Sequence, residues 1–288
     1  MFGFLNINKP QGMTSHDVVS VLRKITHIKQ IGHTGTLDPL ATGVLPIAIS
    51  KASRLIEYLN EDKAYIAKLQ FGFISDTYDS EGNIEKYSDK KVTKEEILQN
   101  IEKFKGTIEQ IPPAHSAVHY KGKRLYELAR KGIIPDDIPK RIVIISKLEL
   151  LEFDDEKQTA TLEIACSKGT YIRSIVNDLG FELDTGAIMT DLTRIKSGLF
   201  NIDTAVNLKD IKEIADVQKN LINPLDVLTY KQRELTLKEY DDVSHGRSIN
   251  TSDYENNEFI LLTLNEKLCA IAQKDNKEQK LSVRKVFI

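Results

Sequence analysis

The sequence has no tryptophan and only two cysteines and three methionines among 288 residues. The missing tryptophan decides nothing. Cys166 and Cys269 stand far apart and form no Cys-x-x-Cys pair, which argues against a structural zinc site and fits a reducing compartment. No run approaches eighteen apolar residues, so no membrane-spanning helix is expected. The opening MFGFLNINKPQG lacks a basic segment followed by an apolar one; no secretory leader is expected and a cytoplasmic location is. Neither GxxxxGK[ST] nor GxGxxG occurs, which excludes a phosphate loop and a dinucleotide fingerprint. An excess of positive charge is missing too. The net charge is −2, whereas a bulk-electrostatic nucleic-acid binder is usually basic.

The rest is ordinary globular composition, 41% hydrophobic and 28% charged. Length and a change of composition after Pro224 predict a large domain over residues 1–228 and a small β-rich one over 229–288. Charge is uneven. KGKRLYELARKG, residues 121–132, carries Lys121, Lys123, Arg124, Arg130 and Lys131 against Glu127 alone. Most such runs are solvated faces, but a local patch on an acidic chain binds a polyanion with salt-sensitive affinity.

Apolar spacing outlines the elements. Phe2 to Ile7 reads as a strand. Thr14 or Ser15 caps a helix with Val18, Val19, Leu22 and Ile25 inward. Tyr65, Ala67, Leu69, Phe71 and Phe73 recur at period two, predicting a strand over 64–73. Thr93 and Glu96 form a capping box for a helix ending at Gly106. Residues 142–153 and 159–166 read as a hairpin. Thr170 to Leu179 reads as a helix with Gly180 as its C-cap. Strand pairs mixed with helices, without regular βαβ alternation, predict an α+β fold.

The densest punctuation is GHTGTLDPLATGVLP, residues 32–46, which holds one carboxylate, Asp38. Glycine and proline clusters usually mark surface loops, and an Asp before Pro often just initiates a turn. Glycines also let another backbone approach closely, and Pro39 and Pro46 stiffen the chain around the Asp. Such a loop can hold one side chain rigidly against a substrate. A lone Asp without a second carboxylate or metal ligands nearby is a nucleophile candidate more than half of an acid/base pair. His33, five residues earlier, either orients a ligand group or is structural.

This stretch resembles the catalytic motif of the TruB family of pseudouridine synthases, which act on tRNA uridine 55. Further blocks follow in the family's order: Lys9-Pro10 with Gly12 and Thr14-Ser15; Lys63-Ala64-Tyr65 followed by DTYDSEG at 76–82; QIPPAHSAVHYKGKRLYELARKG at 110–132; and CSKGTYIRSIVNDLG at 166–180. Together they span about residues 5–200. Three positions depart from the usual pattern. His115 stands where many relatives carry Tyr or Phe, His119 where many carry Lys, and Ile195 interrupts the usual Arg-Thr after Leu192-Thr193-Arg194. These bear on RNA contact rather than on the reaction class.

The resemblance implies a mixed, mostly antiparallel sheet with flanking helices and a small C-terminal domain similar to PUA domains, in which DDVSHGRSI at 241–249 supplies a Gly-containing turn. It implies detachment of uracil from C1′, rotation of the base and reattachment through C5. Substrate and product are isomers, so no redox cofactor, nucleotide or metal is expected. It makes Asp38 the group that starts the reaction and Arg173 its guanidinium partner, although a bare reading leaves Arg173 an ordinary helix-surface residue. Arg173→Lys should be costly, because a point charge does not replace the planar fork. Tyr65 would stack on the extruded base and relay a proton; its bland reading is a core tyrosine. Tyr171 and Leu192 would line the uracil site, His33 would sit near the flipped nucleotide, and Lys9 would support the catalytic loop or an RNA phosphate. The basic run would belong to an insertion, about 105–140, that grips the tRNA T-arm. No obligatory protein partner and a monomer are expected.

Three other readings compete. A guide-RNA-dependent synthase of the dyskerin type shares the core but carries longer basic extensions, and KVFI at 285–288 is no basic tail. A nucleoside hydrolase would release free uracil. A non-catalytic RNA-folding module would tolerate Asp38→Asn.

Overall fold

A computed structural model describes residues 1–251, 253–275 and 278–288. Its centre is a mixed sheet. Across its width run Val206–Asn207, Gly3–Lys9 (β1), Thr42–Ile49 (β3), Ala187–Ser197, Lys63–Phe71 (β4), Thr159–Cys166, Arg141–Asp154 and Gly106–Gln110. Ile31–His33 (β2) pairs with the far end of β3, and Phe200–Asn201 folds back on Ala187–Ser197. The pairings β1 with Val206–Asn207 and β3 with Ala187–Ser197 are parallel; the other pairings in this sheet are antiparallel.

The alternation of β1 and β3 explains how the sheet is covered. Leu5, Ile7, Leu45, Ile47 and Ile49 face one core, with Val18, Val19 and Leu22 of helix Ser15–Thr26 (α1) and Ile175, Val176 and Leu179 of helix Ile172–Glu182 (α4). Phe4, Val44 and Ala48 face the other side. There they meet Ala52, Leu55 and Tyr58 of the 3₁₀ segment Ser50–Tyr58, and Leu261, Leu268, Ile271 and Phe287. These last residues come from or flank a second, five-stranded sheet, ordered Lys231–Glu234, Phe259–Leu264, Lys267–Lys274, Lys280–Val286 and Ile249–Asn250. Its opposite face, with Ile260, Leu262, Ala270, Ala272 and Leu281, packs on Val243 of helix Leu237–Ser244.

Local expectations hold in outline and shift at their ends. Thr14 caps α1 with a full capping box through Asp17, and Thr93 with Glu96 caps helix Lys94–Ile101 (α2). That helix tightens into a 3₁₀ turn, Glu102–Phe104, before Gly106. The tyrosine strand stops at Phe71, and Phe73 instead opens a short hairpin, Phe73–Ser75 with Ile84–Lys86. Gly180 is not a cap. It lies inside α4, which runs to Glu182, and an ideal Cβ there would stand 2.1 Å from the Ala187 backbone nitrogen. The glycine lets the helix touch the incoming strand. Residues 241–244 are helical rather than a turn; the Gly-containing turn follows at His245 and Gly246. Gly106–Gln110 is an edge strand of the main sheet, so the first residues of the segment 105–140 belong to that sheet. Between that strand and Arg141 lie a small hairpin, His119–Tyr120 with Lys123–Arg124, and the short helix Leu125–Ala129 (α3). No helix among the described residues is long and apolar enough to cross a membrane.

Candidate active site

Asp38 sits on the loop between β2 and β3. Its carbonyl accepts from the Ala41 N–H at 3.1 Å, so Asp38-Pro39-Leu40-Ala41 is a tight turn with proline at its second position. Neighbours on both sides pin it. The Ser15 hydroxyl, at the start of α1, accepts from the Leu37 N–H at 2.8 Å and donates to the Leu37 carbonyl at 3.1 Å. The Gly12 N–H donates to the Pro39 carbonyl at 2.9 Å. Lys9 reaches the same carbonyl at 3.4 Å while donating to those of Pro10 and Met13 at 3.0 and 2.6 Å. Lys9 is fully buried, and its three carbonyl contacts tie β1 to the turn that carries Asp38. Burial lowers its pKa to about 8, with the Asp38 charge opposing.

Arg173, the second residue of α4, is 6% exposed and not a surface arginine. Its fork meets Asp38 Oδ2 at 3.0 Å and Asp79 Oδ2 at 3.3 Å, and donates to the carbonyls of Thr77 at 2.9 Å and His115 at 3.2 Å. Breaking a buried ion pair from one side costs about 3–5 kcal/mol, so these acceptors matter to the fold as well as to the site. Asp38 is the exposed end of the chain of charges: its side chain is 38% exposed against 3% for Asp79. Asp79 is fixed in turn by the Thr77 hydroxyl at 2.6 Å and the Glu81 N–H at 3.0 Å. Partial burial and the charges of Asp79 and Asp38 push Glu81 upward.

The same point joins the separate sequence blocks. Gln110 accepts from the Tyr171 N–H at 2.8 Å and donates to the Tyr171 carbonyl at 3.0 Å. Ser174 donates to the Ile111 carbonyl at 2.9 Å. The end of the edge strand Gly106–Gln110 is therefore bonded to the start of α4. Because His115 serves Arg173 through its backbone, the departure at that position leaves the contact intact.

Tyr65 is 6% exposed and packs in the first core with Leu192, which is 5% exposed. Burial pushes the Tyr65 hydroxyl up while the Arg194 guanidinium beside it opposes. Tyr171 and His33 are half-buried. Burial and Arg194 hold the His33 pKa down, and its Nδ1 is buried with no partner. Lys121, Lys123, Arg124, Arg130 and Lys131 are all exposed. Lys121 pairs with Asp137 at 3.5 Å, and Arg130 lies over the Tyr126 ring.

Asp79, Gln110, Ser15 and Arg194 were not among the residues singled out from the sequence. Asp79, Gln110 and Ser15 lie inside quoted blocks, but nothing in the blocks says which side chains turn inward. Arg194 had a clearer signal: it shares the inward face of its strand with Leu192.

The model described as TruB family pseudouridylate synthase (N terminal domain) matches residues 23–172, and that of the tRNA pseudouridylate synthase B C-terminal domain matches 173–229. The second sheet lies beyond both. Two proteins named tRNA pseudouridine synthase B illustrate the similarity. The one from Lactobacillus acidophilus is 44% identical over 96% of this chain and 95% of its own. The one from Clostridium tetani is 45% identical over 83% and 82%. Among solved structures, a chain from a Cbf5-Nop10-Gar1 complex superposes with a TM-score of 0.74 at 26% identity, covering 100% of this chain and 85% of that one.

Proposed function

The chain belongs to the TruB family of pseudouridylate synthases, and from that premise we propose that it is a stand-alone tRNA pseudouridine synthase that converts uridine 55 of the T-loop to pseudouridine. The observation that carries the reading is Asp38 held at 3.0 Å by a buried arginine, itself anchored on Asp79. One carboxylate is presented outward on a loop braced from β1, α1 and α4.

The reaction is an isomerisation: the C1′–N1 bond breaks, the uracil turns, and a C1′–C5 bond forms while the C5 proton leaves. Asp38 starts it, and Arg173 fixes the carboxylate with a planar fork that lysine cannot copy. The base must leave its stack, at a cost of a few kcal/mol. Stacking on the Tyr65 ring returns about 1–3 kcal/mol. Tyr171 and Leu192 close the sides of the uracil site, and His33, held neutral, stands near the flipped nucleotide. The five exposed cations of the insertion position the T-arm phosphates, which fix register without reading sequence. The second sheet is a small C-terminal domain. The enzyme works as a cytoplasmic monomer and needs no guide RNA; the relatives' shared name supports tRNA as the substrate.

The test is an unmodified tRNA transcript tritiated at uracil C5, incubated with the protein alone. One tritium per tRNA should pass to water, and Asp38→Asn should abolish release while retaining tRNA binding. Tight binding without release would overturn the stand-alone reading; free uracil would make the protein a hydrolase.

A further inference from the structure

Among the described residues, Arg194 is the largest fully buried side chain. It lies on the strand Ala187–Ser197, directly across from Tyr65 of β4. β3 pairs with this strand only through Thr42 and Gly43, opposite Thr193 and Arg194, and pairs with β2 further along. The Asp38 loop leaves from this fork, and Arg194 fills it. Its Nε donates to the Val44 carbonyl at 2.7 Å and a terminal nitrogen donates to the Gly35 carbonyl at 3.1 Å. Gly35 and Val44 lie on the two limbs that flank Asp38.

The remaining terminal nitrogen is buried and has no hydrogen-bond partner within 3.5 Å among the described residues. Among the described residues no carboxylate pairs with Arg194. Its basic neighbours feel the charge: Lys9, Lys63 and His33 are all held down by burial and by Arg194 itself. A buried charge without a counter-ion is expensive, and two carbonyl ties could have been made by a neutral side chain. The charge stands beside the Tyr65 hydroxyl. When the C1′–N1 bond breaks, its electron pair stays on the uracil that rests against that tyrosine. A fixed charge acts strongly on such developing charge in a dry site.

We propose that Arg194 is a positioning residue for the exchange, which braces both limbs of the Asp38 loop and turns the Tyr65 hydroxyl proton toward the uracil as the base becomes anionic. This rests on the reaction assigned above. Arg194 acts through Tyr65, so its contribution to rate requires the tyrosine oxygen.

The experiment is a double-mutant cycle. Arg194→Lys, which keeps charge but loses the fork, and Arg194→Gln, which loses both, are made in the parent and in Tyr65→Phe. Single-turnover tritium release and tRNA Kd are measured for each folded protein. In the parent, Lys should slow release about tenfold and Gln about a hundredfold, with Kd within twofold. In Tyr65→Phe, each further loss should be under threefold. Equal factors in both backgrounds, or a loss confined to Kd, would overturn the proposal and leave Arg194 a brace. If the Gln variant does not fold, the same comparison with Lys decides. A parent chain that releases no tritium sinks the assigned reaction; an active parent with equal factors sinks only this inference.

Discussion

Lys9 shows how a single residue links loop support to pH. Its ammonium faces three carbonyls in a site closed to water, and burial brings its pKa from 10.5 to about 8. Between those values the unfolded chain binds the proton and the folded chain does not, so stability rises with pH across that window. Below about pH 8 the buried charge is a constant penalty. Lys9→Met removes the titration. The urea midpoint of the parent, relative to that of Lys9→Met, should therefore climb from pH 8 toward 10.5. A difference that stays flat over that range would show that Lys9 keeps an ordinary pKa in the folded state. His33, also held down, adds to the same trend only below its normal range and leaves this window clear.

Helix α4 has two jobs at opposite ends. Its first turn presents Arg173 to both carboxylates, and its last turn must approach the strand that carries Leu192 and Arg194. Gly180 permits that approach. In an exposed helix interior alanine is better than glycine by about 1 kcal/mol. Here the added Cβ would meet the backbone of Ala187 at 2.1 Å and of Gly186 at 2.4 Å, and backbone cannot swing aside as a side chain can. Gly180→Ala should therefore reverse sign and destabilise by about 3 kcal/mol or more, the upper end of overpacking costs. A denaturant midpoint equal to or above the parent's would refute it. Gly43 is a related case on β3: its φ is +96° and a Cβ would stand 2.3 Å from the Arg194 carbonyl, so the loop's exit against the central strand requires glycine.

The second sheet is bound into the whole molecule by a shared core. Leu261, Leu268, Ile271 and Phe287 cover Phe4, Val44, Ala48 and Leu55, and Phe2 stacks on Phe287. Lys51 donates to the carbonyls of Phe287 and Ile288 at 3.1 and 2.6 Å, and Arg54 to that of Val286 at 2.9 Å. Residues 1–228 expressed alone would expose the back of β1 and β3, which lie beside the Asp38 loop. That fragment should be insoluble or lack a fixed tertiary near-ultraviolet spectrum. A soluble, cooperatively folding fragment would show that the second sheet is dispensable for the catalytic fold.

Periodicity and capping chemistry were enough for α1, α2, β4 and the hairpin of residues 141–166, because each is a local pattern read by a local rule. The ordered blocks were enough for the family and for Asp38, Arg173 and Tyr65 as candidates. Sequence spacing could not give the contacts between blocks: Asp79 on Arg173, Gln110 on Tyr171, and Arg194 under the loop join residues 94, 61 and up to 159 positions apart. It also misread Gly180, since a C-cap and a helix–strand crossing ask for the same residue. What the chain determined alone was which segments form and which side chain the loop carries. Which buried charges meet, and which lysine ends on backbone carbonyls, was decided by the sheet order, because only tertiary packing sets the desolvation and the partners of a charge.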